Sequence, residues 1–155
     1  MRKFSTKILN FKLFEFSLMK NTSAIYVVDD DLMITIHLKH QLESCFGEES
    51  NLIIETFQEP EIALKTIQEN KDLGVDPVVC VVDFQMPGLT GDKFIRKLKE
   101  CFPSIKCIIL SGNSSAILVS ELEENDLLDN YLQKPWDKMT LCQTVNECLP
   151  LNLKA

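Results

Sequence analysis

The sequence predicts a doubly wound α/β fold, a five-stranded parallel sheet with helices on both faces. Three observations predict it. Short apolar runs alternate five times with longer segments of helical period between residues 24 and 150. The most apolar run, residues 78–82 (VVCVV), shows no polar alternation, as expected of a strand buried on both faces. Charged or hydroxyl residues then stand at the ends of these runs, on the edge where a parallel sheet collects its ligands.

Each element follows in order. Residues 24–28 (AIYVV) form a β-rich run ended by three aspartates. Ile34, Leu38, Leu42 and Cys45 then mark one face of a helix over 32–46, which Gly47 closes. Residues 52–56 form a second strand, and Pro60 suits the first position of a second helix. After the strand at 78–82, Thr90 is placed to cap a helix carrying Phe94, Leu98 and Cys101. Residues 106–110 form the fourth strand. Ser114 or Ser115 caps a short polar helix through Glu121, and residues 127–132 form a short fifth strand. Asp137 caps a last helix with Cys142, Val145 and Leu149 on one face.

The chain of 155 residues fits one domain, residues 21–152, after a basic extension, residues 1–20, expected to be poorly ordered. The first twenty residues carry five basic side chains against Glu15 alone, so the remainder holds −11 of the net −7. An acidic body repels phosphate backbones, which argues against nucleic-acid binding, and it suits a site that holds a cation. Lys7, Lys12 and Glu15 break the apolar pattern of the extension, so it reads as neither signal peptide nor membrane span. The six cysteines form no C-x-x-C pair and read as reduced core thiols of a cytoplasmic protein. No output module is visible after the last helix.

The strand ends carry the chemistry. The first ends at Asp29 and Asp30, the third at Asp83, the fourth at Ser111, and the fifth runs into Lys134. In the flavodoxin-like strand order 2-1-3-4-5 the first and third strands are neighbours, so the three aspartates share a pocket. Carboxylates so close repel one another, and an oxygen-only acidic pocket favours Mg²⁺ as the neutralising ion. Lys134 adds a positive charge and Ser111 a hydroxyl. Together these groups could hold a phosphoryl group during transfer to a carboxylate. Asp31 reads as a helix cap, and His37 and His40 as solvent-facing.

The segments YVVDDD (26–31), VVDFQMPGLTG (81–91), IILSG (108–112) and YLQKPWD (131–137) resemble the response-regulator receiver family of two-component signalling. The resemblance covers nearly all of residues 24–150. It implies that Asp83 is the phosphoacceptor, and that Asp29, Asp30, Asp83 and the backbone carbonyl of Gln85 hold Mg²⁺. It further implies that Lys134 pairs with the phosphoryl group, that Ser111 and Tyr131 act as the switch pair, and that the Lys134–Pro135 bond is cis. Implied partners are a histidine kinase or histidine phosphotransfer protein as donor and a downstream protein the sequence does not name. A phosphorylation-dependent dimer fits the same pattern. On this reading the chain is a stand-alone receiver that catalyses only its own phosphoryl acceptance and loss. Two alternatives have other chemistry: a haloacid-dehalogenase-like phosphatase using Asp29-x-Asp31, and a non-phosphorylated binding module of the same fold.

Overall fold

The computed structural model describes residues 22–47, 51–112 and 116–154. The expectations for the extension at 1–20 and for Ser114 or Ser115 as a cap lie outside these residues. Among the described residues, five strands alternate with five helices: β1 (Ser23–Val28), α1 (Leu32–Phe46), β2 (Leu52–Phe57), α2 (Pro60–Asp72), β3 (Asp76–Asp83), α3 (Gly91–Cys101), β4 (Lys106–Ser111), α4 (Ala116–Glu124), β5 (Asn130–Gln133) and α5 (Lys138–Cys148). All four strand pairings are parallel, in the order β2-β1-β3-β4-β5, as the sequence predicts.

Side chains of successive strand residues point to opposite faces, so each strand feeds two cores. Tyr26, Val28, Cys80, Val82, Cys107 and Ile109 pack on one face against Ala63 and Ile67 of α2 and Phe94, Ile95 and Leu98 of α3. Ile25, Val27, Val79, Val81, Ile108 and Leu110 pack on the other against Leu38 and Leu42 of α1 and Leu141 and Val145 of α5. The central strands are therefore apolar throughout, because neither face meets water.

Local chemistry sets the element ends. Asp31 caps α1, its Oδ1 accepting from the Met33 amide at 2.8 Å. Gly47 ends that helix at φ 66°, a left-handed conformation that costs glycine little. Thr90 occupies the cap position of α3 without a side-chain cap bond, whereas Asp137 caps α5 by accepting from the Thr140 amide at 2.9 Å.

Two expectations need correction. The fifth strand covers Asn130–Gln133 and does not start at Leu127. The amides of Leu127 and Leu128 turn back to the Leu122 carbonyl, finishing α4, and Asp126 adopts φ 55°. The cysteines are not all free core thiols. Cys45 of α1 is bonded to Cys142 of α5, and only Cys80 and Cys107 are deeply buried thiols. Both partners face the seam between two helices packed side by side on the same sheet face, which brings them together across 97 residues of chain.

Candidate functional site

Strand register builds the site. Val28 of β1 stands beside Val82 of β3, so the next residues, Asp29 just past β1 and Asp83 at the end of β3, come level with each other. Asp83 in turn pairs with Leu110, and Ser111 with Gln133, which brings the ends of β4 and β5 to the same rim. Asp29, Asp30 and Asp83 converge as expected: one carboxylate oxygen from each lies within 4.8 Å of the others. Asp29 is 1% exposed and Asp83 6%, while Asp30 is exposed.

Lys134 closes the group. Its Nζ donates to Asp29 Oδ2 at 2.9 Å and to Asp83 Oδ1 at 2.8 Å. Its backbone amide donates to the Ser111 carbonyl at 2.9 Å, and the Lys134–Pro135 bond is cis. Burial raises the Asp83 pKa above the usual carboxylate value; the Lys134 bond opposes this, and the charge of Asp29 reinforces it. Burial works against the Lys134 ammonium, but its bonds to Asp83 and Asp29 outweigh that, and its pKa is raised. The ammonium therefore stays charged, bridging two carboxylates that would otherwise repel. Asp29 also accepts the Asp31 amide at 2.9 Å through its other oxygen, which orients it toward Asp83.

The remaining candidates surround this centre. Ser111 is buried at the end of β4. Gln85 is exposed on the loop after β3. Tyr131 on β5 carries a buried hydroxyl with no hydrogen-bond partner among the described residues. Asp31, which the phosphatase alternative needs for catalysis, spends its Oδ1 on the first turn of α1. His37 and His40 are both exposed; the His37 ring lies 6.2 Å from that of Trp136.

Three features of the site escaped the sequence. The close packing of Gly91, which the family motif places in the turn before the third helix, is one: a Cβ there would lie 2.6 Å from the Asp83 carbonyl oxygen, so the start of α3 sits against the backbone of Asp83. Its place after the M-P-G turn was the available signal. Asp129 is another: it fixes the start of β5 through Lys106 at 2.8 Å, Lys99 at 3.1 Å and the Cys107 amide at 2.9 Å. The third is a group of large apolar side chains exposed beside the rim, Leu32, Met33 and Ile36 on the first turns of α1. Their position after the aspartates was legible, but their exposure was not.

The model of the response regulator receiver domain family matches residues 25–146. The chain belongs to that family. This receiver is similar to the transcriptional regulatory protein FlgR of Helicobacter pylori, 29% identical over 122 residues, covering 78% of this chain and 28% of that protein. A response regulator receiver domain protein from Clostridium thermocellum superposes with TM-score 0.68 at 25% identity, covering 81% of this chain and 93% of the other. The BeF3-activated DrrB receiver domain superposes with TM-score 0.66, also at 25% identity, covering 81% and 96%. The receiver spans 10% to 42% of the lengths of the curated relatives it matches. No helix among its described residues is long and apolar enough to cross a membrane.

Proposed function

We propose that residues 21–152 form a phosphorylation switch that accepts a phosphoryl group on Asp83, with Mg²⁺ held by Asp29, Asp30, Asp83 and the backbone carbonyl of Gln85. The observation that carries this reading is the convergence of three carboxylates within 4.8 Å, two of them bridged by Lys134. The donor set fits the ion. It offers hard oxygen ligands, and three carboxylates against one ammonium leave a formal −2 for a divalent cation to balance. When bound, the ion supplies neutralisation of the charge that builds up as the phosphoryl group arrives.

The protein's own groups do the rest. Lys134 holds Asp83 Oδ1 and so fixes the attacking carboxylate. A phosphohistidine of a histidine kinase or histidine phosphotransfer protein approaches over the rim. Its P–N bond breaks as an O–P bond to Asp83 forms, and the imidazole leaves and takes a proton. The exposed Leu32, Met33 and Ile36 beside that rim suit the docking of such a donor. The chain thus catalyses only its own phosphorylation and its reversal. The similar DrrB receiver domain is described as BeF3-activated, which supports activation of this fold by a phosphoryl-like group.

Ser111 then turns toward the acyl phosphate, and Tyr131 follows. The Tyr131 hydroxyl, without a partner among the described residues, supports two positions for this ring, since a buried hydroxyl without a partner costs about 1–3 kcal/mol. The surface of α4, β5 and α5 changes with it, altering affinity for a downstream protein or a second copy.

Incubation with acetyl phosphate and Mg²⁺ tests this. Intact mass should rise by one phosphoryl group in the wild type, and should not rise in Asp83→Asn or after chelation. A folded wild type that gains no mass would instead be a binding module of the same fold. Turnover of an aryl phosphate that Asp31→Ala abolishes would favour the phosphatase.

A further inference from the structure

The seam between α1 and α5 holds chemistry that phosphoryl transfer does not use. Gln41, Ser44 and Cys45 occupy one face of α1, at i, i+3 and i+4. Each meets a group from the last segment of the chain. Trp136 Nε1 donates to Gln41 Oε1 at 2.9 Å, Lys138 Nζ donates to Ser44 Oγ, and Cys45 is bonded to Cys142. The two hydrogen bonds join the same seam just before α5 and at its first residue. With 6.1 Å between their Cα atoms, Cys45 and Cys142 can close and reopen without backbone movement.

Access and a partner within reach together separate this pair from the other cysteines. Cys45 and Cys142 are half-buried and line an open cleft of about 270 Å³ with Phe46, Gln143 and Asn146. Cys80 and Cys107 are sealed in the core, where burial pushes the Cys107 thiol up to about 12. Cys148 is raised to about 11 by burial. Cys101 is exposed but is a free thiol.

We propose that Cys45 and Cys142 form a reversible thiol–disulfide site that reacts with small disulfide oxidants of the glutathione class, and that closing it pins α5 to α1. The thiolate of one cysteine attacks the S–S bond of the oxidant, giving a mixed disulfide and one released thiolate. The second cysteine's thiolate attacks the mixed disulfide at the protein sulfur, closing Cys45–Cys142 and releasing the second. Two electrons pass to the oxidant, and the two cysteine protons end on the released thiols. The site is then open under reducing conditions and closes under oxidation. Because α5 borders the surface proposed to change on phosphorylation, the closed form restrains that change; this consequence alone rests on the receiver mechanism above.

Thiol counting on the full chain tests the redox step without phosphorylation. After treatment with oxidised glutathione and alkylation of the unfolded chain, the wild type should yield a cross-linked pair of peptides containing Cys45 and Cys142, with neither residue alkylated; dithiothreitol should return both as alkylatable thiols. Cys142→Ser should instead keep glutathione on Cys45, because no resolving thiol remains. Six free thiols in the oxidised wild type overturn the proposal, as does a persistent glutathione adduct on wild-type Cys45 equal to that of the variant. Amide exchange tests the pinning. Residues 138–148 should exchange on the order of 10-fold more slowly in the oxidised than in the reduced wild type. Equal exchange in the two forms overturns the claim that the bond restrains α5.

Discussion

Asp129 offers a demanding test of how this sheet delivers its site, because it anchors the short edge strand that leads to Lys134. Its carboxylate is 19% exposed and accepts from Lys106, Lys99 and the Cys107 amide, while its own amide donates to the Cys107 carbonyl. Replacement by asparagine removes the charge but keeps one oxygen for the amide. The Lys106 side chain is half exposed, so that pair contributes at most about 1 kcal/mol. Lys99 is only 11% exposed, and a charge-assisted bond there adds about 1.5 kcal/mol. Asp129→Asn should therefore cost about 2 kcal/mol. Asp129→Ala also strands the Cys107 amide, for about 4 kcal/mol in all. At roughly 2–4 °C per kcal/mol for a chain of this size, the midpoints should fall by about 4–8 °C and about 8–16 °C. The pH dependence is fixed in sign. Burial alone would raise the Asp129 pKa, but the bonds from Lys106, Cys107 and Lys99 outweigh it, and the folded value is lowered from 3.8. The stabilisation is therefore complete above pH 3.8 and is lost as pH falls through the folded value. Thermal unfolding followed by circular dichroism should show a wild-type-to-Asn gap that is constant from pH 5 to 8 and narrows below pH 3.8. A gap of the same size at pH 3 and pH 7 would refute the electrostatic account.

Three further outcomes are expected. Gly91→Ala forces a Cβ to 2.6 Å from the Asp83 carbonyl oxygen, so backbone must move; the loss should be about 1–3 kcal/mol by urea titration, and an unchanged midpoint would contradict the close approach. Lys134→Met should slow labelling by acetyl phosphate on the order of 100-fold in the mass assay, and a wild-type rate would remove Lys134 from the chemistry. Reducing the Cys45–Cys142 bond, whose partners are 97 residues apart, should cost up to about 4.7 kcal/mol by the chain-entropy estimate. That corresponds to a fall of about 9–19 °C in the wild-type midpoint, with none in Cys142→Ser.

The parts of this fold that the sequence exposed share a physical cause. A strand buried on both faces has to be apolar, so the point where polarity begins marks where it leaves the sheet. Val28 followed by Asp29, and Val82 followed by Asp83, show this, and parallel pairing then sets the two aspartates level. The failures also share a cause. Leu127 and Leu128 carry the same apolar signal as strand residues, yet their amides close α4; hydrophobicity reports burial and not which partner the backbone finds. The Cys45–Cys142 bond depends on the rotation of two helices about their own axes, and periodicity fixes that only to within a broad face. Gly91 is indistinguishable in sequence from an ordinary turn glycine, because the atom it must avoid is a backbone oxygen from the end of β3.

The charge count of the site suggests why its proposed chemistry should drive a change of shape. Three carboxylates and Lys134 leave a formal −2, which a divalent ion held there would bring to zero. The proposed phosphorylation would convert the Asp83 carboxylate to a neutral acyl group and add a phosphoryl carrying about −1.5 to −2. The balanced site therefore becomes negative by roughly half a charge to one charge. It does so where Asp29 is 1% exposed and water offers little screening. Lys134 cannot offset this by gaining charge, since it is already an ammonium bonded to Asp29 and Asp83. The compensation must come from dipoles that move in, and the hydroxyl at the end of β4, Ser111, is tied by backbone to Lys134 itself. An Asp83 acyl phosphate should thus pull on the ends of β4 and β5 together. On the proposed mechanism that pull would reach Tyr131, two residues before the end of β5, whose hydroxyl has no partner to lose among the described residues.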